Sequence, residues 1–280
     1  MGYKMDNALV DDFRRKLQQE ERSRVTIEKY MRDICAFWKW AGKDTNIDKE
    51  TVIAYKEELM QKYAVASVNS MLAALNSFFK DAGWYDCIVR AVRVQKEAFR
   101  ARERELTKEE YSRLLRAAKK KNNNRLFHIM QTIGSTGIRI SELEFITVES
   151  LCTRRARVHL KGKTRTVILA TELCRQLKQY ARERQIERGS IFVTKTGKPV
   201  DRSNVLHEMK ALCESAGVGR EKVFPHNLRH LFACTYYQME KDLSHLADLL
   251  GHSSVNTTRI YTLVSSEEQT RQIERLGLIL

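Results

Sequence analysis

The chain has 280 residues, of which 42% are hydrophobic and 30% charged, and its 50 lysines and arginines exceed its 35 acidic residues, giving a formal charge of +15. This excess favours a polyanionic partner, nucleic acid above all, over a membrane surface, because no single amphipathic helix concentrates the charge; a basic protein without such a partner is the alternative. No apolar run approaches the roughly 18–20 residues that cross a bilayer, and the N-terminal sequence MGYKMDNALVDDF has no signal-peptide core, so we expect a cytoplasmic protein without a membrane partner.

The six cysteines show no spacing typical of a metal site or a redox pair. They are Cys35, Cys87, Cys152, Cys174, Cys213 and Cys234. No two of them form a CxxC pair, and their neighbours along the chain are largely apolar. We therefore expect reduced thiols in the protein core, as is usual in the cytoplasm.

The first hundred residues carry only helical patterns, with apolar and aromatic side chains at intervals of three and four. Helices are expected around residues 7–20, 25–40, 49–64 and 67–84. Ser67 is expected to cap the fourth helix. Residues 1–98 are therefore predicted to form a small helical domain, and its aromatic stripes are interpreted as core rather than as surfaces that stack on nucleic acid bases.

A basic stretch that is poor in large apolar residues, residues 93–105, interrupts these patterns. We place a linker at residues 99–106. Directly after it, Thr107 and Glu110 have the spacing of a capping box, which marks the start of a helix. A second domain is therefore expected at residues 107–280.

The second domain is predicted to be mainly helical with one β-hairpin. Residues 157–169, RVHLKGKTRTVIL, alternate β-favouring residues around Gly162. Residues 190–194, SIFVT, predict a further short strand. The fold class is therefore α+β and mainly α: a helical N-terminal domain followed by a mixed α/β domain with a small sheet.

Three segments of the second domain gather basic and polar side chains where packing does not require them. The first is STGIRISELEFI, residues 135–146. Gly137 interrupts an apolar helix there, and Arg139 and Glu142 are predicted to share one face of the next helix because they lie three residues apart. Alone, this pair would be interpreted as a surface salt bridge.

The second segment is FPHNLRHLFAC, residues 224–234. Pro225 is expected at the start of a helix, which places His226 and Arg229 on one face at a spacing of three residues.

The third segment is LLGHSSVNTTRIYT, residues 249–262. Gly251 is expected to end a helix, and Asn256 or Thr257 to cap the next one, so that His252 and Tyr261 lie on either side of a turn. Alone, this segment would be interpreted as an ordinary helix–turn–helix corner.

The types of residue in these segments favour one chemistry. The sequence has no HExxH, DxD or Cys/His quartet for a metal, no GxSxG elbow and no phosphate-binding glycine loop. Arginine and histidine side chains suit a phosphodiester, because guanidinium groups bind its non-bridging oxygens and neutralise the charge that a pentavalent transition state gains. The tyrosine hydroxyl is the plausible covalent nucleophile.

The strings TGIRISEL, HNLRHLFA and LLGHSSVNTTRIYT, in this order, resemble the signature boxes of the tyrosine recombinase, or phage integrase, family. The resemblance implies that Tyr261 attacks the scissile phosphate and forms a 3′-phosphotyrosyl bond. It implies that Arg139 and Arg229 bind the non-bridging oxygens and that His252 adds a hydrogen bond to them. His226 would accept and return the tyrosine proton.

The resemblance also implies a supporting acidic residue and a lysine on the hairpin. Glu142 matches the acidic position and is interpreted as a residue that orients its neighbours. The lysine protonates the leaving 5′-oxygen in this family, and here Lys161 is the match after a deletion of one residue. Lys163 remains the alternative, because the turn is shorter than the GKGxK turn of many relatives.

The assembly that the resemblance implies is a C-shaped clamp around double-stranded DNA at specific recombination sites, with four protomers exchanging strands through a Holliday junction. Neither ATP nor a metal is expected. A tail at residues 263–280 would dock on a neighbouring protomer, or else fold back on its own domain. The sequence begins almost at the first helices, so we expect no separate arm-binding domain.

Two alternatives belong to other classes: a type IB topoisomerase that relaxes DNA, and a DNA-binding protein without catalysis. The sequence leaves open whether the outcome is integration, excision, inversion or resolution, whether the gene belongs to a mobile element, and whether an accessory directionality factor takes part.

Overall fold

A computed structural model describes residues 2–42, 45–93, 104–160, 163–194, 196–252, 254–262, 270–271 and 274–275. The chain divides into two compact units, residues 1–96 and residues 97–280. Within the described ranges, no helix has the length and apolar character that a bilayer span requires.

The first unit is helical. Its helices are α1 (Asn7–Gln19), α2 (Arg24–Ala41), α3 (Lys49–Lys62) and α4 (Val65–Asp81), followed by a 3-10 turn at Tyr85–Cys87. The side chains of Asp6, Ser23 and Asp48 each accept a hydrogen bond from a first-turn N–H of α1, α2 and α3. The prediction that Ser67 caps α4 is wrong: the N-cap position is Ala64, three residues earlier, and no side chain caps the helix. Water can satisfy the N–H groups of an exposed helix end.

Aromatic side chains from the helical faces form the core of this unit. They include Phe13, Phe37, Phe78, Phe79 and Trp84, all buried. Phe37 and Phe79 meet edge to face with ring centroids 5.8 Å apart, a favoured geometry for aromatic pairs. The aromatic stripes are therefore core, as the helical spacing predicts.

The second unit contains nine helices and one hairpin in its described part. They are α5 (Lys108–Lys120), α6 (Asn124–Thr136), α7 (Val148–Thr153), β1 (Arg155–Leu160), β2 (Lys163–Ile168), α8 (Thr171–Glu183), α9 (Arg202–Lys210), α10 (Cys213–Ala216), α11 (Pro225–Glu240), α12 (Leu243–Leu250) and α13 (Val255–Thr258). Three 3-10 helices, Ile140–Phe145, Arg220–Lys222 and Arg259–Tyr261, complete it. The capping box of Thr107 and Glu110 is present at the start of α5 and confirms that prediction.

The hairpin is antiparallel and pairs Val158 with Arg165. The further strand predicted at residues 190–194 is wrong, because this segment makes only isolated bridges, Thr147 with Ser190 and Val193 with Pro199. A ladder cannot extend past Pro199, which has no N–H to donate. The described part of the unit is thus mainly helical, with a sheet of two strands.

Two apolar clusters support the functional region of the second unit. The larger is built around α5, α6, α8 and the hairpin and includes Leu228. The smaller consists of Ala233, Leu246, Leu250 and Tyr261. Because Leu228 and Ala233 both lie on α11, this helix connects the two clusters.

The cysteines are all free, and the expectation of core thiols holds for only part of them. Cys87, Cys174 and Cys213 are buried, whereas Cys35 and Cys152 are exposed. Each exposed cysteine follows a buried residue directly, and the rotation of about 100° per helical residue turns it away from the core.

Candidate active site

A glycine corner positions the first predicted arginine. Helix α6 ends at Gly137, whose φ of 65° is left-handed. A Cβ there would lie 2.4 Å from Cδ1 of Phe232, so only glycine fits. Arg139 then occupies the N-cap position of the 3-10 helix Ile140–Phe145.

Arg139 and Glu142 do meet, but not on the face of an α-helix as predicted. Glu142 Oε2 accepts a hydrogen bond of 2.7 Å from the backbone N–H of Arg139, and Oε1 accepts one of 3.0 Å from Nη1 of Arg139. The left-handed turn at Gly137 leaves Arg139 with extended backbone, so the pair forms a capping interaction instead. The Glu142 side chain is only 1% exposed.

The carboxylate of Glu142 has a second partner, Arg165 on β2, which the sequence analysis missed. Nη2 of Arg165 donates to Glu142 Oε2 at 2.6 Å, and Nη1 donates to the carbonyl oxygen of Leu249 at 2.7 Å. Burial lowers the pKa of Arg165, and the charge of Glu142 opposes that shift. The signal was available: Arg165 precedes Val167 by two residues, so both point to the inner face of the strand.

Helix α11 buries the second predicted arginine. It begins at Pro225, as predicted, and Arg229 follows one turn later with 2% exposure. Arg229 donates to the carbonyl oxygens of Gly137 at 2.6 Å and Leu250 at 2.8 Å. Burial, followed by the charge of Arg139, lowers the pKa of Arg229 to about 10, so the group stays cationic at neutral pH.

The carboxyl end of α12 gathers these guanidinium groups. The helix ends at Gly251 with a φ of 64°, as predicted. The carbonyl oxygen of Leu250 also lies 3.5 Å from Nη1 of Arg139. Carbonyl groups at a helix C-terminus carry partial negative charge and lack partners within the helix, so they hold cations well.

His252 follows directly and joins the same network. Its Nε2 lies 3.1 Å from Nη2 of Arg229, and its Nδ1 lies 2.8 Å from Oγ1 of Thr258. Burial and the neighbouring arginines, Arg229 first, lower the pKa of His252 to about 4, so the ring is neutral at pH 7. Because a guanidinium can only donate, we assign Nε2 as the acceptor and Nδ1–H as the donor to Thr258.

Thr258 was not singled out in the sequence, although its side chain is completely buried. It ends α13, which Ser254 caps, and not Asn256 or Thr257 as predicted. This short helix places Thr258 within hydrogen-bonding distance of the His252 ring. The positioning of His252 therefore depends on its own downstream turn.

Tyr261 lies at the end of the 3-10 helix Arg259–Tyr261 and is 4% exposed. Its ring is nearly parallel to that of His252, at an interplanar angle of 14° with centroids 6.3 Å apart. The ring of His230, next to Arg229 in sequence, lies 5.1 Å away on α11. The turn thus brings His252 and Tyr261 together.

His226 is exposed at the start of α11. Partial loss of hydration lowers its pKa, and so do the charges of Arg229, Arg139 and Arg202. Arg229 and Arg139 also lower the pKa of His252, where Arg165 and His226 act with them. His226 is therefore an electrostatic neighbour of the group and is poised to be neutral at pH 7.

Three predicted features fall wholly or partly outside the described residues. Lys161 is one of them, and for Lys163 the structure gives the backbone in β2, paired with Leu160. The linker is described only from residue 104, and of the tail only residues 270–271 and 274–275 are described.

The chemistry of the described group is cationic. Arg139 and Arg165 pair with one carboxylate, Glu142, whereas Arg229 bonds two backbone carbonyls and His252. The three arginines and the one carboxylate therefore sum to two formal positive charges, beside two histidines and a tyrosine. In the described ranges no three His, Cys, Asp or Glu side chains come together to hold a metal. Such a group is suited to a phosphodiester anion.

Comparisons with known proteins agree with this chemistry. Residues 104–268 match the phage integrase family, and residues 10–84 match the N-terminal SAM-like domain of phage integrases. Tyrosine recombinase XerA of Pyrococcus furiosus is 28% identical over 288 aligned residues, covering 97% of this chain and 94% of the relative.

Two solved structures have the same fold. A XerH site-specific recombinase bound to difH substrate in a pre-cleavage complex gives a TM-score of 0.72 at 21% identity, covering 94% of this chain and 82% of the other. A lambda integrase tetramer bound to a Holliday junction gives a TM-score of 0.74 at 19% identity, covering 91% of this chain and 76% of the other.

The cationic group with its tyrosine and the match over residues 104–268 point to the same conclusion. The chain belongs to the phage integrase family and is a tyrosine recombinase, an enzyme that cleaves and rejoins DNA at specific sites.

Proposed function

We propose that Tyr261 is the nucleophile of this recombinase and that the reaction passes through a 3′-phosphotyrosyl intermediate. The observation that carries the proposal is the contact of buried Arg229 with His252, whose ring lies parallel to that of Tyr261. In the cleavage step Oη of Tyr261 forms a bond to phosphorus, and the bond from phosphorus to the 5′-oxygen breaks. The energy of the phosphodiester is kept, so rejoining needs no ATP.

Arg139 and Arg229 bind the non-bridging oxygens of the scissile phosphate in this proposal. Attack on a phosphodiester increases the charge on these oxygens, so positive groups fixed beforehand stabilise the transition state more than the ground state. Arg229 is rigid because two backbone carbonyls and His252 hold it. Its position is therefore set before DNA arrives.

The two histidines divide the remaining work. His226 accepts the proton of Tyr261, because a lowered pKa leaves it neutral and able to act as a base at pH 7. His252 donates to a non-bridging oxygen through Nε2. Since Nε2 is an acceptor in the free protein, this role requires His252 to gain a proton or to change tautomer when phosphate binds.

The substrate in this proposal is double-stranded DNA, with residues 1–98 as the core-binding domain and residues 107–280 as the catalytic domain. The formal charge of +15 supports a polyanionic partner. A tetramer exchanging strands through a Holliday junction is proposed by analogy with the lambda integrase neighbour. The tail, residues 263–280, is proposed to dock on a neighbouring protomer of this tetramer.

The nucleophile is tested with the variant Tyr261→Phe on a nicked suicide substrate that traps covalent adducts. We expect the variant to bind DNA like the wild type and to form no adduct, because the ring is kept and the attacking oxygen is lost. Tyr236→Phe is the matched control, since Tyr236 also packs against the small apolar cluster of Tyr261 but bonds His245 instead. Adducts of Tyr261→Phe at the wild-type rate would disprove the assignment.

We further propose that Lys161 protonates the leaving 5′-oxygen. Lys161→Ala should slow cleavage strongly, and a 5′-bridging phosphorothiolate should restore the rate because a thiolate leaves without a proton. Lys163→Ala should mainly weaken DNA binding through one lost phosphate contact. Rescue of Lys163→Ala, and not of Lys161→Ala, would transfer the role to Lys163.

A further inference from the structure

Arg139 offers donors to a ligand because Glu142 occupies only part of its guanidinium group. Its Nη1 is bonded to Glu142 and lies near Leu250, while Nη2 and Nε make no hydrogen bond to any described residue. The Arg139 side chain is 35% exposed, so part of it is open to solvent. Arg139 is therefore held at one end and open at the other.

Arg165 sets how strongly Glu142 holds Arg139. The carboxylate of Glu142 is buried, so its negative charge must be compensated by the two guanidinium groups that contact it, those of Arg139 and Arg165. Arg165 bonds Glu142 at 2.6 Å, closer than the 3.0 Å of Arg139, and is itself 14% exposed. Without Arg165, the full charge of Glu142 would act on Arg139.

The fold is shaped to keep Arg165 in this place. Its other donor bonds the carbonyl of Leu249, one residue before the carbonyl that holds Arg229. The stem of Arg165 crosses directly over Gly251, where an added Cβ would lie 2.5 Å from its Cδ. Arg165 thus connects strand β2 to both Glu142 and the end of α12.

We propose that Arg165 is a positioning residue for cleavage: it takes up the charge of Glu142, so that Arg139 keeps its orientation and its positive charge for the scissile phosphate. The idea rests on the proposed function. The guanidinium groups of Arg139, Arg165 and the neighbouring Arg229, together with the one carboxylate, sum to two positive charges, which match the two negative charges of a phosphodiester transition state. Loss of Arg165 leaves one.

The test compares adduct formation on two suicide substrates, one with an ordinary scissile phosphate and one with a methylphosphonate there. The methyl group replaces a charged oxygen, so its transition state needs one positive charge fewer. Arg165→Gln should slow cleavage roughly 100-fold on the phosphate but only about 5-fold on the methylphosphonate. Arg165→Lys keeps the positive charge but loses the two-donor guanidinium group, so its cleavage rate on the phosphate should lie between those of Arg165→Gln and the wild type.

The matched control is Arg175→Gln, which removes an arginine from an equally short but exposed ion pair with Glu172; its rates should equal those of the wild type. If Arg165→Gln slows cleavage equally on both substrates, or not at all, the inference is overturned; the proposed function still stands as long as the wild type forms adducts. If Arg165→Gln does not fold, the same comparison, slowing on the phosphate relative to slowing on the methylphosphonate, is made with Arg165→Lys. Absence of wild-type adducts on both substrates would instead overturn the proposed function, and this inference with it.

Discussion

His252 is a single side chain whose pKa the fold lowers far enough to keep the ring neutral at pH 7. Burial and three arginines lower its pKa to about 4, whereas an unfolded histidine titrates near pH 6.5. The hydrogen bond from Nδ1 to Thr258 fixes the ring while Nε2 faces Arg229. In the free enzyme His252 is thus neutral beside fixed positive charges. In the proposed function, the negative charge of a bound phosphate favours protonation of His252 or a change of its tautomer.

This shift predicts how stability depends on pH. The unfolded chain binds a proton at His252 below about pH 6.5 and the folded chain only near pH 4, so stability falls as the pH decreases through this window. Between pH 7 and pH 5, the free energy of unfolding measured with urea should fall by up to about 2 kcal/mol more in the wild type than in His252→Gln. His207→Gln, at an exposed histidine of α9, should behave as the wild type does. Equal losses in wild type and His252→Gln would contradict the assignment.

The end of α12 is the element on which the site is assembled. Its last two carbonyls accept hydrogen bonds from Arg165 and Arg229, and the left-handed Gly251 turns the chain towards His252. A helix C-terminus attracts cations without adding an acidic side chain that would repel phosphate. The end of α12 therefore orients the arginines without lowering the net positive charge of the site.

Gly251→Ala tests this arrangement. The left-handed backbone costs about 1–2 kcal/mol for alanine, and the added Cβ also displaces Arg165. Gly217→Ala is the matched control, because Gly217 is also left-handed but has nothing within 4 Å of an added Cβ. Both variants should lose similar stability in urea, while only Gly251→Ala should slow adduct formation strongly. Equal adduct rates in the two variants would show that Arg165 is not displaced.

The sequence predicted those elements whose signals are local. Helical spacing predicted the four helices of the first unit, Gly137 and Gly251 predicted two helix ends in the second, and the hairpin followed from alternation around Gly162. The segment at residues 190–194 was misjudged because a strand needs a partner, which local sequence does not reveal. The geometry of Arg139 was misjudged because the turn before it is a tertiary feature, fitted against Phe232.

At the scale of the whole molecule, site residues come from segments up to 122 positions apart, between Arg139 and Tyr261. Sequence motifs indicated which residues belong together, but not the acceptors that hold them. The carbonyls of Gly137, Leu249 and Leu250 have no side-chain signature. Arg165 and Thr258 were missed for a related reason, since their importance arises from burial and not from residue type.

The residue to which DNA becomes attached tests the role of Tyr261 most directly. Wild-type protein is trapped on a suicide substrate in excess EDTA, digested with trypsin and nuclease, and the modified peptide is sequenced by mass spectrometry. Cleavage after Arg259 and Arg271 releases residues 260–271, in which Tyr261 is the single tyrosine. We expect a nucleotide on Tyr261 of this peptide. A nucleotide on any other peptide, or an adduct that forms only when a divalent metal is restored, would contradict it.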